Sequence, residues 1–219
     1  MRAFSNFFGR KLWLFSLLSL FALAGCFQEK PWNETTLDGA LAPLDFQMTR
    51  VTDGAQVTGK DYLGKVVVLA FGYTNCPDIC PTTLANLATV VEDLGPAAKD
   101  LQVLFVTVDP NRDTVAQLKS YMGNFGPHMD GLRGSEPALA ALAKRYKLHY
   151  SVTPAKGDQA YDVSHGAAVY VFDQTGKSRL LVSSMFTVSP DFKGLEADLR
   201  RLLNEGGSGS WWGRLKQYF

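Results

Sequence analysis

"KVVVLAFGYTNCPDICPTTLANL", residues 65–87, carries an unbroken apolar run into a pair of cysteines and out again into a helical pattern. The run Lys65–Tyr73 is β-branched and lacks polar alternation, which predicts a strand covered on both faces. Leu84, Leu87, Val90, Val91 and Leu94 recur at helical spacing, so a helix is expected from about Pro81 to Leu94. Pro81 suits the first turn of that helix, and a residue before proline is biased away from helical backbone. Cys76 to Cys80 therefore reads as a turn that caps the helix.

The flanking sequence supplies the rest of an α/β unit. Upstream, residues 44–65 read as a short hairpin that turns at Asp53-Gly54. Downstream, "LQVLFVTVD" (101–109) is a second buried strand, and "TVAQLKSYMGNF" and "SEPALAALAKRYK" are helices. Ser135 caps the latter, with Pro137 in its first turn. Residues 167–184 form a hairpin around "DQTGK", and a last helix opens with Ser189 as cap and Pro190 at its first position. The order β-α-β-α-α-β-β-α predicts a mixed central sheet with helices on both faces, a thioredoxin-like sandwich.

Two thiols with three residues between them can be a redox couple, a metal clip or a structural staple. The staple would close so small a loop that it gains little from chain entropy. A helix start gathers positive dipole and free N–H groups, which favours thiolate over thiol and so reactivity. Two thiolates select soft metals such as Cu(I) or Zn(II). Of the three histidines, His128 lies in a Gly-Pro loop and His149 follows a helix, positions typical of surface residues. His165 stands just before the apolar strand at Ala167, and in a thioredoxin-like fold the loop there faces the cysteine turn. In "DPNRD" (109–113), Asp109-Pro110 ends a strand and Asp113 or Thr114 caps the next helix.

The termini speak to location. Arg2, Arg10 and Lys11 precede the 13-residue stretch "LWLFSLLSLFALA" (12–24), the layout of a secretory signal. A spanning helix needs about 20 apolar residues. "LAGC" (23–26) is similar to a bacterial lipobox, which predicts a signal peptide over residues 1–25 and lipid on Cys26. Residues 26–42 then read as a tether, 43–205 as the domain, and 206–219 as a Gly/Ser linker with an aromatic and basic tail. A formal net charge of +1 without a basic stripe gives no footprint for nucleic acid. Three cysteines exclude a disulfide-dense scaffold, and with Cys26 lipidated one pair remains.

"GYTNCPDICPTTL", "VTVDPNRDT" (106–114) and "YDVSHGAAVYVFDQTGK" (161–177), in that order, strongly resemble the Sco/SenC family of copper proteins. The likeness covers about Leu44 to Asn204. It implies a thioredoxin-like fold and one copper held by Cys76, Cys80 and His165. It also implies a role as a metallation factor, a binding protein rather than an enzyme, for the copper-A subunit of cytochrome c oxidase. A copper donor protein would load it. The same two thiols, as a Cys76–Cys80 disulfide couple, would serve a thiol-disulfide oxidoreductase or redox sensor. A pure dithiol reductase has no need of His165. A peroxiredoxin would carry a different cysteine motif. By the same resemblance the domain faces the periplasm of a bacterial envelope, at the inner membrane in preference to the outer. One departure stands out: family members commonly place aspartate before and serine after the histidine, whereas here Ser164 and Gly166 flank it. Losing that carboxylate weakens support for the ring. Asp162 lies too far along an extended strand to replace it.

Overall fold

The computed structural model describes residues 30–155 and 161–206. Its centre is β4 (Val66–Gly72), in which every residue is buried, as its unbroken apolar run requires. β4 pairs in parallel with β5 (Leu101–Thr107), and β5 in parallel with β6 (Met129–Arg133). On its other side β4 pairs antiparallel with β9 (Val169–Phe172), which forms a hairpin with β10 (Ser178–Val182). With β1 (Thr35–Thr36), β2 (Gln47–Arg50) and β3 (Gln56–Thr58), the strand order is β1-β10-β9-β4-β5-β6-β2-β3. The β2–β3 turn falls at Asp53-Gly54, where Gly54 adopts a positive φ of 75°.

The register shows which face each helix covers, because residues directly opposite share a face and successive residues alternate. Ala70 opposes Phe105, and Phe105 opposes Gly131. A Cβ on Gly72, two residues from Ala70, would meet the Sγ of Cys80 in α1 (Ile79–Leu94). A Cβ on Gly131 would meet Leu118 of α2 (Val115–Met122). These two helices therefore cover one face, together with α4 (Phe192–Gly206), which packs against α1. Leu69 and its partner Tyr170 point the other way. There the Tyr170 hydroxyl donates to the carbonyl of Tyr146, which ends α3 (Glu136–Arg145). Helices on both faces of a mixed sheet make the thioredoxin-like fold that the sequence predicts.

Several local expectations change. The last helix begins at Phe192, not Ser189: the Asp191 carboxylate, one residue before the helix, accepts from the Gly194 N–H and serves as the cap. Strand β6 falls between two helices, where "MDGLR" carries too little apolar pattern to announce it. β7 (Tyr150–Thr153) and β8 (Asp162–His165) form a separate antiparallel ribbon, mostly exposed and so without a periodic signature. From Trp32 onward the segment read as a tether is part of the domain. β1 extends the sheet along β10, and the Asp198 carboxylate accepts from the N–H groups of Asn33 and Glu34. The Trp32 ring lies under the guanidinium groups of Arg201 and Arg179. This docking uses side-chain anchors in place of a repeating apolar face, which is why periodicity missed it. Cys26, the signal segment and the aromatic tail lie outside the described residues. Among the described residues, no helix is long and apolar enough to cross a membrane.

Candidate metal centre

The cysteine turn is built where β4 ends. The Cys76 N–H donates to the Tyr73 carbonyl, closing a turn, and α1 opens with Asp78 as its cap. The helix thus starts at Ile79, two residues before Pro81, and Cys80 lies in its first turn rather than ahead of it. Pro81 remains compatible because first-turn N–H groups have no intrahelical partner. Packing overrides the extended preference of the residue before proline. Cys80 Sγ seats against the Cα of Gly72, where an added Cβ would stand 2.7 Å from the sulfur and 2.6 Å from the Phe105 ring. Only glycine leaves that space. A glycine closing an all-apolar strand is the sequence signal that could have revealed it.

Both thiols are buried, Cys76 at 9% and Cys80 at 4% exposure, and unbridged. Burial and the neighbouring Cys76 push the Cys80 thiol well above its ordinary range. At Cys80, desolvation thus works against the thiolate that the helix start favours.

The imidazole arrives from the ribbon. His165 ends β8, and its Nε2 stands 3.4 Å from Cys80 Sγ. Its Nδ1 lies 3.0 Å from the Gly166 carbonyl, an acceptor that holds the proton on Nδ1 and leaves Nε2 bare. Burial lowers the His165 pKa and so favours the neutral ring. With serine at position 164, the ring is thus supported by a backbone carbonyl. Gly166 is itself fixed by its N–H donating to the His149 carbonyl at 2.8 Å. The Tyr73 ring meets His165 edge-on, with centroids 5.8 Å apart. The ligand atoms of Cys76, Cys80 and His165 all lie within 4.8 Å of one another. His128 and His149 take no place in this group, and Asp162 is exposed on the ribbon.

"DPNRD" contributes more than strand ends and caps. Thr114 does cap α2, accepting from the Gln117 N–H. Asp113, fully buried, turns inward instead: it accepts from the N–H and hydroxyl of Thr74 and from the Thr107 hydroxyl. It therefore holds the start of the cysteine turn to the end of β5. Nothing local in the sequence distinguishes this inward carboxylate from a helix cap.

Comparison with known proteins agrees with this site. The SCO1/SenC family model matches residues 35–203. The mitochondrial SCO2 homolog of Bos taurus is 43% identical over 118 residues, 53% of this chain and 44% of that protein. The chain thus covers less than half the length of that relative. The structure of Bradyrhizobium japonicum ScoI with copper bound is 34% identical, with a TM-score of 0.65 over 73% of this chain and 98% of that one. A SCO1/SenC family lipoprotein from Bacillus anthracis is 26% identical, with a TM-score of 0.62 over 78% and 99% of the two chains. With the motifs, the fold and the three converging ligands in agreement, the chain belongs to the SCO1/SenC family.

Proposed function

We propose that this protein binds one copper ion through Cys76, Cys80 and His165 as cargo, and delivers it to the copper-A subunit of cytochrome c oxidase. The observation that carries the reading is the convergence of two sulfurs and one bare imidazole nitrogen within 4.8 Å. Metal–ligand bonds of about 2.0–2.3 Å place the donors around one ion roughly 3.5–4 Å apart, so the group needs only slight closure. Thiolates favour soft Cu(I), and an added imidazole lets the same site accept Cu(II). Copper would supply the negative thiolates with the positive charge that the buried, metal-free pair lacks.

The deciding experiment measures Cu(I) stoichiometry of the full chain under reducing conditions, and Cu(II) stoichiometry of the pre-reduced chain after the reductant is removed, beside Cys76→Ser/Cys80→Ser and His165→Ala. Wild type should hold one copper, the double cysteine variant none, and His165→Ala should lose Cu(II) far more than Cu(I). Stoichiometric copper in the double cysteine variant would overturn the reading. Adjacent free thiols also support a second reading, thiol-disulfide exchange with the cysteines of a client. Its mark would be a Cys76–Cys80 disulfide that copper prevents, read by thiol counting with and without Cu(I). The lipobox and the lipoprotein relative support a lipid anchor at Cys26 and a periplasm-facing domain. Cell fractionation of Cys26→Ala should then release the protein from the membrane.

A further inference from the structure

The β7–β8 ribbon stands apart from the main sheet. Val163 packs inward, while Asp162, Ser164, Val152 and Thr153 are exposed. Among the described residues, hydrogen bonds join it to the surrounding structure at two places: His165 at the end of β8, and Tyr161 immediately before its start. The second attachment is a three-residue clamp. The Tyr161 hydroxyl donates to Asp109 Oδ1 at 2.7 Å. Arg112 donates through Nε to the other oxygen of Asp109 and through Nη1 to the Tyr161 carbonyl at 3.2 Å. The same guanidinium lies 4.2 Å from the centroid of the Tyr161 ring and 5.8 Å from that of Tyr73, the ring that touches His165. Asp109 is buried and stands two residues past the end of β5, its N–H donating to the Thr107 hydroxyl, so the clamp is fixed to the central sheet.

We infer that Arg112 and Tyr161 are positioning residues for His165, with Asp109 as their anchor: the clamp sets the start of β8 and thereby where Nε2 stands relative to the two sulfurs. The inference rests on the copper reading of the site. Four residue steps separate Tyr161 from His165, about 13 Å of extended chain. Metal bonds tolerate deviations of only about 0.2 Å. A ribbon that drifts at its base therefore takes the imidazole out of reach and leaves a two-sulfur site. Cu(I) tolerates that loss, whereas Cu(II) does not.

The test uses the full chain in mild detergent, with Arg112→Gln, Tyr161→Ala and the milder Tyr161→Phe. Arg112→Gln and Tyr161→Ala should weaken Cu(II) about tenfold or more, within the range for groups that orient metal ligands, and leave Cu(I) affinity unchanged. Their sulfur-to-copper charge-transfer absorption should move toward that of His165→Ala, and Tyr161→Phe, which keeps the ring stack, should fall between. Adding Arg112→Gln to His165→Ala should cost no further Cu(II) affinity, the mark of a residue acting through the imidazole. Wild-type Cu(II) affinity and spectrum in folded variants would overturn the inference, as would equal loss of both oxidation states. A second arm needs no metal: in the apo chain, amide hydrogen exchange should quicken on β8 and stay unchanged on β4 when the clamp is cut. Unchanged β8 exchange also refutes the clamp. If wild type takes up no copper, the copper reading fails on its own, and the exchange arm still decides the clamp.

Discussion

The two halves of the candidate metal centre are built in opposite ways. The thiols belong to the core: Cys80 is packed under Gly72, and Asp113 ties the approach to Cys76 into the end of β5. The imidazole belongs to a two-stranded ribbon, mostly exposed and pinned at its two ends. Damage to the cysteine half should therefore register as lost stability and lost metal together. Damage to the histidine half should register in the metal alone, and mainly in Cu(II).

Five substitutions test that contrast, and the two at the cysteines carry the largest effect. Cys76→Ser or Cys80→Ser alone should abolish tight Cu(I) binding, because a hydroxyl is no soft ligand. Competition against a Cu(I) chelator reads this directly, and near-wild-type affinity in either variant would break the comparison at its base. Gly72→Ala inserts a methyl into the seat of Cys80 and against the Phe105 ring. Overpacking of this kind costs about 1–3 kcal/mol, so the urea midpoint should fall, and both copper oxidation states should weaken as the sulfur is displaced.

Asp113→Asn keeps the shape but trades one acceptor oxygen for an amide, in a site where three donors converge. Stability should drop by about 1–2 kcal/mol, with a moderate loss of Cu(I) affinity as the cysteine turn loosens. Equal stability with altered Cu(II) alone would place Asp113 with the histidine half instead. Smallest of all is Gly166→Ser, which restores the serine common in the family. The new Cβ would meet nothing closer than the His149 carbonyl at 3.7 Å, an ordinary contact, so stability should stay within about 0.5 kcal/mol. A large loss there would mean that the ribbon is less tolerant than its exposure implies.

The same division separates what could be read in the sequence from what could not. β4, the cysteine turn, α1 and β5 follow from apolar runs and helical spacing, since residues buried by their own element carry its period. Ser135 is legible as a cap, and Thr114 as one of two candidates with Asp113, because the capping bond is local. The ribbon left no such trace. His165 could be singled out by its place before β9 and by the family motif, yet the orientation of its ring depends on the Gly166 carbonyl, which no side chain encodes. Arg112 and Tyr161 are 49 positions apart and meet only through the fold. Trp32, Asn33 and Glu34 read as tether because their partners, Arg201 and Asp198, lie at the far end of the chain. The thiols show the same division: the helix dipole that favours thiolate is visible from sequence, whereas the depth of burial that opposes it at Cys80 is not.

The bond from His165 Nδ1 to the carbonyl of the very next residue has a bearing on how such sites can be transplanted. Where a histidine is steered by a carboxylate from another element, moving the ligand means moving its steering group too. Here the tautomer is decided within two consecutive residues, and the next turn is closed by His149, the residue that leads into the ribbon's other strand. The hairpin is in this respect a portable donor. Spliced onto a different sheet beside a thiol pair, it would arrive with Nε2 already bare, and the recipient would have to provide only a foothold at its base.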